Sequence, residues 1–168
     1  MSLDASANTP GAMGRFDRPH NMSNLDDRTL FVRTGVAADA RSAARTRVEF
    51  GAWLNRYFSL CTDRFSDLLL AVNEAIANAA EFAYVDATQR GTVDVRAAYD
   101  ADSDTLAVTV DDRGRWRQKV PAQRSAQMRG RGIPLMEALA DEAAIARTPQ
   151  GTRVTLVWTG LTRSACTA

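Results

Sequence analysis

The chain has few of the residues that build the commonest metal sites and covalent active sites. Among its 168 residues the only histidine is His20, and the two cysteines are Cys61 and Cys166. The sequence therefore gives no basis for a histidine-based zinc site, a Ser-His-Asp triad or a disulfide framework. Lys119 is the only lysine, and no GxxxxGK[ST] run occurs, which argues against a P-loop.

Long hydrophobic runs and an excess of either charge are also missing. No apolar run approaches the roughly 20 residues needed to span a bilayer, and the N-terminus lacks a basic-then-apolar signal pattern. We therefore expect a cytoplasmic protein. The formal net charge of +1 gives no electrostatic case for a nucleic acid or an anionic membrane as partner. Apolar residues make up 45% and charged residues 24%, as in an ordinary single globular domain.

The composition divides the chain into a folded region and two tails. Residues 1–27 are rich in Ser, Asn, Asp, Gly and Pro without periodicity, which predicts a disordered leader. We expect the domain at residues 28–160 and a short tail at 161–168. The predicted elements are a strand at 28–36, helices at 40–58 and from about 63 or 64 to 84, strands at 92–100 and 105–111, a helix at 133–140, and strands at 143–147 and 152–158. This order favours an α+β fold, a two-layer α/β sandwich whose mostly antiparallel sheet is covered by helices on one face.

The apolar spacing also predicts which side chains meet the core. In the first strand we expect Leu30, Val32 and Thr34 on one face. In the first helix the predicted seam is Ala40, Ala44, Val48, Gly51, Leu54 and Phe58, with Trp53 and Tyr57 flanking it. Asp39 is the predicted N-cap of that helix, and Thr62 or Asp63 that of the next.

The second helix carries two polar residues on an otherwise apolar stretch. Glu74 and Asn78 lie four residues apart, so their side chains project from the same side one turn apart. Such a pair can hold a metal ion and a water, and it can equally be a polar strip on a solvated face. Further along, the half-buried alternation Leu106, Val108, Val110 ends in Asp111 and Asp112. Glu74 and Asn78 alone leave both interpretations open.

Four local motifs occur in a particular order. They are NEAIANA at Asn73–Ala79, DDRG at Asp111–Gly114, RGRGIPLM at Arg129–Met136 and GT at Gly151–Thr152. In order and spacing they resemble the N, G1, G2 and G3 boxes of the GHKL ATPase superfamily, which has the Bergerat fold. Over residues 28–158 the chain is more closely similar to the anti-sigma-factor serine kinases of bacterial partner switching, the RsbW and SpoIIAB type.

The resemblance implies roles that agree with the chemistry of each residue. Glu74 would be the general base, since a carboxylate can accept a proton from an attacking hydroxyl. Asn78 would be the Mg²⁺ ligand, because this ion prefers oxygen. Asp112 would accept a hydrogen bond from the adenine amino group, whereas Asp111 is interpreted as a surface acid. The implied nucleotide-binding residues are Asn78, Asp112, Gly114, Gly130, Arg131, Gly132, Ile133 and Thr152.

The same resemblance implies an activity and partners. It predicts an ATP- and Mg²⁺-dependent serine/threonine-protein kinase that phosphorylates an anti-sigma-factor antagonist, a STAS-type protein. It also predicts an anti-sigma factor that sequesters a sigma factor, and a homodimer. A histidine-kinase ATPase domain is less favoured, because the sole histidine, His20, lies in the leader.

Two positions depart from the family pattern. Trp116 stands where the usual D-x-G-x-G motif has its second glycine, and Phe82 stands where many relatives carry a histidine. Neither change removes the predicted base or metal ligand. They motivate the alternative interpretation, a non-catalytic module that binds ATP, a sigma factor or both.

Overall fold

A computed structural model of the chain describes residues 29–82, 91–113 and 132–163. The elements agree closely with the predicted ones. In chain order they are β1 (Leu30–Ala37), α1 (Ala40–Tyr57), α2 (Thr62–Phe82), β2 (Thr92–Asp100), β3 (Thr105–Asp112), α3 (Gly132–Leu139), β4 (Glu142–Thr148) and β5 (Gly151–Trp158).

The five strands form one sheet in the order β1-β2-β3-β5-β4, and every neighbouring pair is antiparallel. Alternate side chains of the central strands face the helices and are buried; in the middle of the sheet Val95, Val110 and Val154 lie side by side. The opposite face carries charged side chains. The predicted α+β two-layer sandwich is confirmed.

Helix α2 crosses the buried face of the sheet on a seam of small and aliphatic residues. The seam repeats every three or four positions and comprises Leu68, Ala71, Val72, Ala75, Ile76 and Ala79. The predicted N-cap at Thr62 or Asp63 is wrong, because both residues are already helical. Asp63 lies in the first turn, where a negative charge is favourable. Although α2 has 21 residues, no described helix is long and apolar enough to cross a membrane.

The predicted core face of β1 is wrong. Phe31 is buried, whereas Val32 and Thr34 are exposed. Three consecutive apolar residues, Leu30 to Val32, leave the phase of the alternation ambiguous, and the larger aromatic side chain takes the inner face. The register between β1 and β2 is also irregular between Arg33 and Val36, so a strict alternation does not continue along the strand.

The predicted seam of α1 is only partly right. Asp39 does cap the helix, because its side chain accepts a hydrogen bond from the Ser42 backbone N–H at 2.8 Å. Gly51, Leu54 and Phe58 are buried as expected, but Val48 is 65% exposed. Trp53 is buried rather than flanking. The predicted seam included small alanine side chains. The larger aromatic rings bury more area, so they set the orientation of the helix. The core-facing aromatic side chains include Phe31, Phe50, Trp53, Phe58, Tyr99 and Trp158.

One end of the sheet is closed by the residues after β5. The Leu161 side chain is buried in the core, beyond residue 160 where the tail was expected to begin. Its N–H donates to the Asp104 carbonyl, and its own carbonyl accepts the Tyr99 hydroxyl at 2.9 Å. Arg163 then forms a bridge with Phe58 at the end of α1. We call this region the closed end.

Candidate functional site

The predicted adenine-reading residue lies on the buried face of the sheet at the end opposite the closed end. Asp112 is level with Val93 on β2 and with Thr152 on β5. Two residues earlier on the same face, Val110 is 1% exposed. Because strand side chains alternate, Asp112 and Thr152 extend the core face by one row beyond its last apolar row. Both residues are half-buried.

Asp112 and Thr152 are hydrogen-bonded to each other across the strands. The Thr152 backbone N–H donates to Asp112 Oδ1 at 3.2 Å. The bond fixes one carboxylate oxygen against the start of β5. A carboxylate at the rim of the apolar core is suited to accept a hydrogen bond from a neutral donor such as an exocyclic amino group.

The neighbouring acid, Asp111, belongs to the other face. Its carboxylate is paired with Arg153, with Nε to Oδ1 at 2.6 Å and Nη2 to Oδ2 at 3.3 Å. The two adjacent acids therefore have opposite surroundings because of strand alternation alone. The interpretation of Asp111 as a surface acid agrees with this geometry.

Gly151 allows the close approach of β5 to Asp112. A Cβ built at this position would stand 1.9 Å from the Asp112 carbonyl oxygen, and the residue has a φ of +152°. No side chain fits such a contact, so glycine is required there. The sequence places Gly151 in the GT motif, just before the last predicted strand, and does not indicate this contact. Gly151 thus helps to position Asp112 as well as to make the turn.

The predicted metal ligand meets the predicted phosphate-binding helix. A Cβ at Gly132, the first residue of α3, would stand 2.8 Å from the amide nitrogen and 3.1 Å from the amide oxygen of Asn78. The helix N-terminus therefore lies directly against this side chain. Free backbone N–H groups at a helix start bind phosphate oxygens, and an amide oxygen is a hard ligand. The NEAIANA and RGRGIPLM motifs, which are distant in sequence, therefore lie next to each other at Asn78 and Gly132.

Glu74 lies one turn before Asn78 on the same side of α2, about 6 Å along the helix axis. Both side chains are half-buried, at the border of the buried seam. On α3, Met136 is buried in the core, and Ile133 is partly buried and packs against that core. The predicted base is therefore on the same helix face as the residue that contacts α3.

The donor set fits a magnesium–nucleotide complex better than a metal held by protein alone. In the part of the chain that the structure describes, no three His, Cys, Asp or Glu side chains converge. Mg²⁺ commonly takes one or two protein oxygens and completes its shell with phosphate oxygens and waters. The amide of Asn78 meets that requirement.

Several predicted site residues lie outside the described residues. These are Gly114, Gly130 and Arg131, together with Trp116, and the side chain of Phe82 is not described either. Conversely, the sequence analysis overlooked Val93, which forms the apolar neighbour of Asp112. The alternation of β2 could have indicated it, since Val93, Val95 and Ala97 share the buried face.

The structure thus has an acid and a threonine at the rim of the core and an amide close to a glycine that starts a helix. The chain belongs to the histidine kinase-like ATPase domain family, whose model matches residues 36–158. That match includes all four motifs.

The chain is also similar to two solved structures of bacterial proteins. The chain is similar to the crystal structure of the RsbU and RsbW domains of Rv1364c from Mycobacterium tuberculosis, with 27% identity and a TM-score of 0.61 over 81% of this chain. It spans 33% of the length of that protein chain. It also matches the histidine kinase domain of a blue-light activated histidine kinase from Erythrobacter litoralis, with 21% identity and a TM-score of 0.48, over 70% of this chain and 63% of that one.

Proposed function

We propose that this domain is an ATP-dependent serine/threonine-protein kinase of a bacterial partner-switching system. The observation that carries the proposal is the closeness of the Asn78 amide to Gly132 at the start of α3, where a Cβ would stand 2.8 Å from the amide nitrogen. An amide oxygen beside a helix N-terminus supports the proposal, because a triphosphate with a divalent cation binds to that combination of groups. The similarity to a structure containing an RsbW domain supports the choice of a protein kinase.

Each residue has a defined task in the proposed reaction, the transfer of a γ-phosphoryl group to a serine or threonine hydroxyl. Glu74 accepts the proton of the incoming hydroxyl. Asn78 provides an oxygen ligand for Mg²⁺, and the ion when bound neutralises charge on the phosphate oxygens. Asp112 accepts a hydrogen bond from the adenine amino group, with Thr152 beside it. The remaining proposed nucleotide contacts are Gly114, Gly130, Arg131, Gly132 and Ile133.

The proposed protein substrate is an anti-sigma-factor antagonist of the STAS type, and the proposed second partner is a sigma factor. We further propose that the protein acts as a homodimer in the cytoplasm. These partners rest on the similarity to an RsbW-containing protein and on the sequence motifs. Partner switching then links the two activities, because phosphorylation of the antagonist leaves the sigma factor bound to the kinase.

The test is single-turnover transfer of labelled phosphate from ATP to a purified antagonist. The variant Glu74→Gln keeps the size of the side chain and removes its basicity, so labelling should fall about 100-fold or more, as for loss of a general base. Glu137→Gln is the matched control, because Glu137 is exposed on α3. Equal labelling by Glu74→Gln and the unchanged protein would refute the role of Glu74.

The alternative is a regulatory module that binds ATP or a sigma factor without phosphoryl transfer. Trp116 and Phe82, which replace a glycine and a histidine of the family pattern, favour it. In this case the unchanged protein binds Mg-ATP tightly in calorimetry and labels no antagonist. A protein that labels an antagonist at a rate dependent on Glu74 rules the alternative out.

A further inference from the structure

A row of charged side chains lies immediately behind the row that contains Asp112. On the outer face of the sheet, Asp94 of β2 stands directly opposite Asp111 of β3, and Asp111 stands opposite Arg153 of β5. Like charges placed directly opposite each other on neighbouring strands are destabilising. Arg153 neutralises Asp111 through the paired contacts described above, so Asp94 needs partners of its own.

Asp94 has two partners, one on each side. Its Oδ1 accepts the backbone N–H of Gly35 at 2.6 Å, within the irregular part of β1. Its Oδ2 lies 3.6 Å from Nη2 of Arg113. Arg113 directly follows Asp112 at the end of β3. One carboxylate therefore connects the edge strand to the residue next to the predicted adenine-reading group.

We infer that Asp94 is a positioning residue for adenine recognition, which holds the end of β3 from the outer face so that Asp112 keeps its orientation on the inner face. The inference rests on the proposed function in that Asp112 reads the adenine amino group. On the inner face, the Thr152 N–H holds Asp112 Oδ1 at 3.2 Å, the long end of the hydrogen-bond range. On the outer face, the contact of Asp94 with Arg113 supplies a further constraint on the strand end.

The effect of Asp94 should be seen in ligand recognition rather than in stability. Its partner Arg113 is 79% exposed, and ion pairs at that exposure contribute little to folding. A short charge-assisted bond to a backbone N–H, in contrast, fixes geometry. Small misplacements of a recognition group reduce binding far more than the lost ion pair would reduce stability.

The test compares two variants on the same strand and the same face. Asp94→Asn removes the charge that attracts Arg113 and weakens the bond to Gly35. Asp100→Asn is the control, because Asp100 also accepts a backbone N–H, from Asp102 at 3.0 Å, but at the closed end. The ligands are ATP and ITP, which has a carbonyl in place of the adenine amino group. Calorimetry gives both dissociation constants, and thermal unfolding gives Tm.

We expect Asp94→Asn to raise the Kd for ATP about three- to tenfold, a typical cost of a misplaced recognition group. The Kd for ITP should change little, so the preference for ATP falls, and Asp100→Asn should leave both constants unchanged. On a background of Arg113→Gln, the additional effect of Asp94→Asn on ATP binding should be smaller, because the two residues act together.

Two results would overturn the inference while leaving the proposed function intact. One is an unchanged Kd for ATP in Asp94→Asn. The other is an equal rise for ATP and ITP together with a lower Tm, which indicates a general loss of structure. If the unchanged protein binds neither nucleotide, the proposed function fails and the inference fails with it.

Discussion

The two ends of the sheet differ in how their polar groups are satisfied. At the closed end, the Tyr99 hydroxyl contacts Asp104 Oδ1 at 2.6 Å and the Leu161 carbonyl at 2.9 Å. Trp158 is fully buried, and its Nε1–H donates to the Leu139 carbonyl at 2.8 Å. At the other end, which we call the site end, Asp112 and Thr152 are half-buried polar residues at the border of the core, and Glu74 and Asn78 of α2 are half-buried as well.

This difference separates stability from function within one small domain. Fully buried aromatic residues with internal hydrogen bonds stabilise the closed end. Polar groups at the edge of a core contribute less to stability, but they are placed where a ligand can reach them. Changes at the closed end should therefore reduce stability and spare nucleotide binding, and changes at the site end should do the reverse.

The largest effect is expected from Gly151→Ala. The new Cβ would overlap the Asp112 carbonyl oxygen, and the backbone has a φ that alanine disfavours. We expect a loss of about 3 kcal/mol or more in the free energy of unfolding, and loss of measurable nucleotide binding. Gly160→Ala is the control, because Gly160 has a φ of +67° and no atom within 4 Å of the new Cβ.

For Gly160→Ala we expect a cost of about 1 kcal/mol and an unchanged Kd for ATP. Denaturant unfolding and calorimetry measure both variants. A Gly151→Ala protein that binds ATP normally would show that the approach of β5 to Asp112 has no part in the site.

The next largest effect is expected from Asp112→Asn, with the adjacent Asp111→Asn as its control. Asp112→Asn replaces an acceptor facing the proposed adenine with an amide, and we expect the Kd for ATP to rise about 10- to 100-fold, corresponding to about 1.4–2.7 kcal/mol. Asp111→Asn removes a surface ion pair with Arg153 and should change the Kd less than about threefold. Similar effects of the two substitutions on ATP binding would contradict the assignment of faces.

A smaller effect, on stability alone, is expected from Tyr99→Phe. The substitution leaves Asp104 and the Leu161 carbonyl without the hydroxyl, so the free energy of unfolding should fall by about 1–2 kcal/mol at pH 7 while the Kd for ATP stays constant.

Burial and the Asp104 hydrogen bond raise the pKa of Tyr99 from 10.0 to about 12. Its stabilisation should thus be complete below pH 10 and lost as the pH rises towards 12, a loss that Tyr99→Phe lacks.

The smallest effect concerns acid stability at the closed end. The Arg64 hydrogen bond, followed by those from Thr159, holds the pKa of Asp141 below its usual 3.8. A lowered pKa contributes stability above about pH 3.8, and this stability is lost as the pH falls through the folded-state value. Asp141→Asn should therefore lower the urea midpoint slightly at pH 7 and by less at pH 2.5. Equal losses at both pH values would assign the effect to packing rather than charge.

Strong periodicity explains which predictions succeeded. In β3 the alternation of Leu106, Val108 and Val110 predicted a half-buried strand, and these three residues are buried, so the core face of this strand followed from the sequence. The face of β1 did not, because Leu30, Phe31 and Val32 are all apolar and the strand has a neighbour on one side only. In α1, the alanines fit more than one seam, and the burial of Trp53 decided the outcome.

Contacts between residues distant in the chain could not be predicted from the sequence. Nothing local indicates that Gly151 must lie against the Asp112 carbonyl, since a glycine after Pro149 and Gln150 is typical of a turn. The pairing of Asp94 with Gly35 depends on the register between β1 and β2, which is irregular at that point. The motif resemblance brought Asn78 and Gly132 together as an expectation, whereas their direct contact is a property of the fold.

The central claim is that Asn78 and the start of α3 form a magnesium–nucleotide site. The most direct measurement is the Mg²⁺ dependence of ATP affinity, in the unchanged protein, in Asn78→Ala and in the control Asn55→Ala, an exposed amide on α1. We predict that Mg²⁺ tightens ATP binding in the unchanged protein and the control but not in Asn78→Ala. An identical Mg²⁺ dependence in all three proteins, or no ATP binding by the unchanged protein, would contradict the claim.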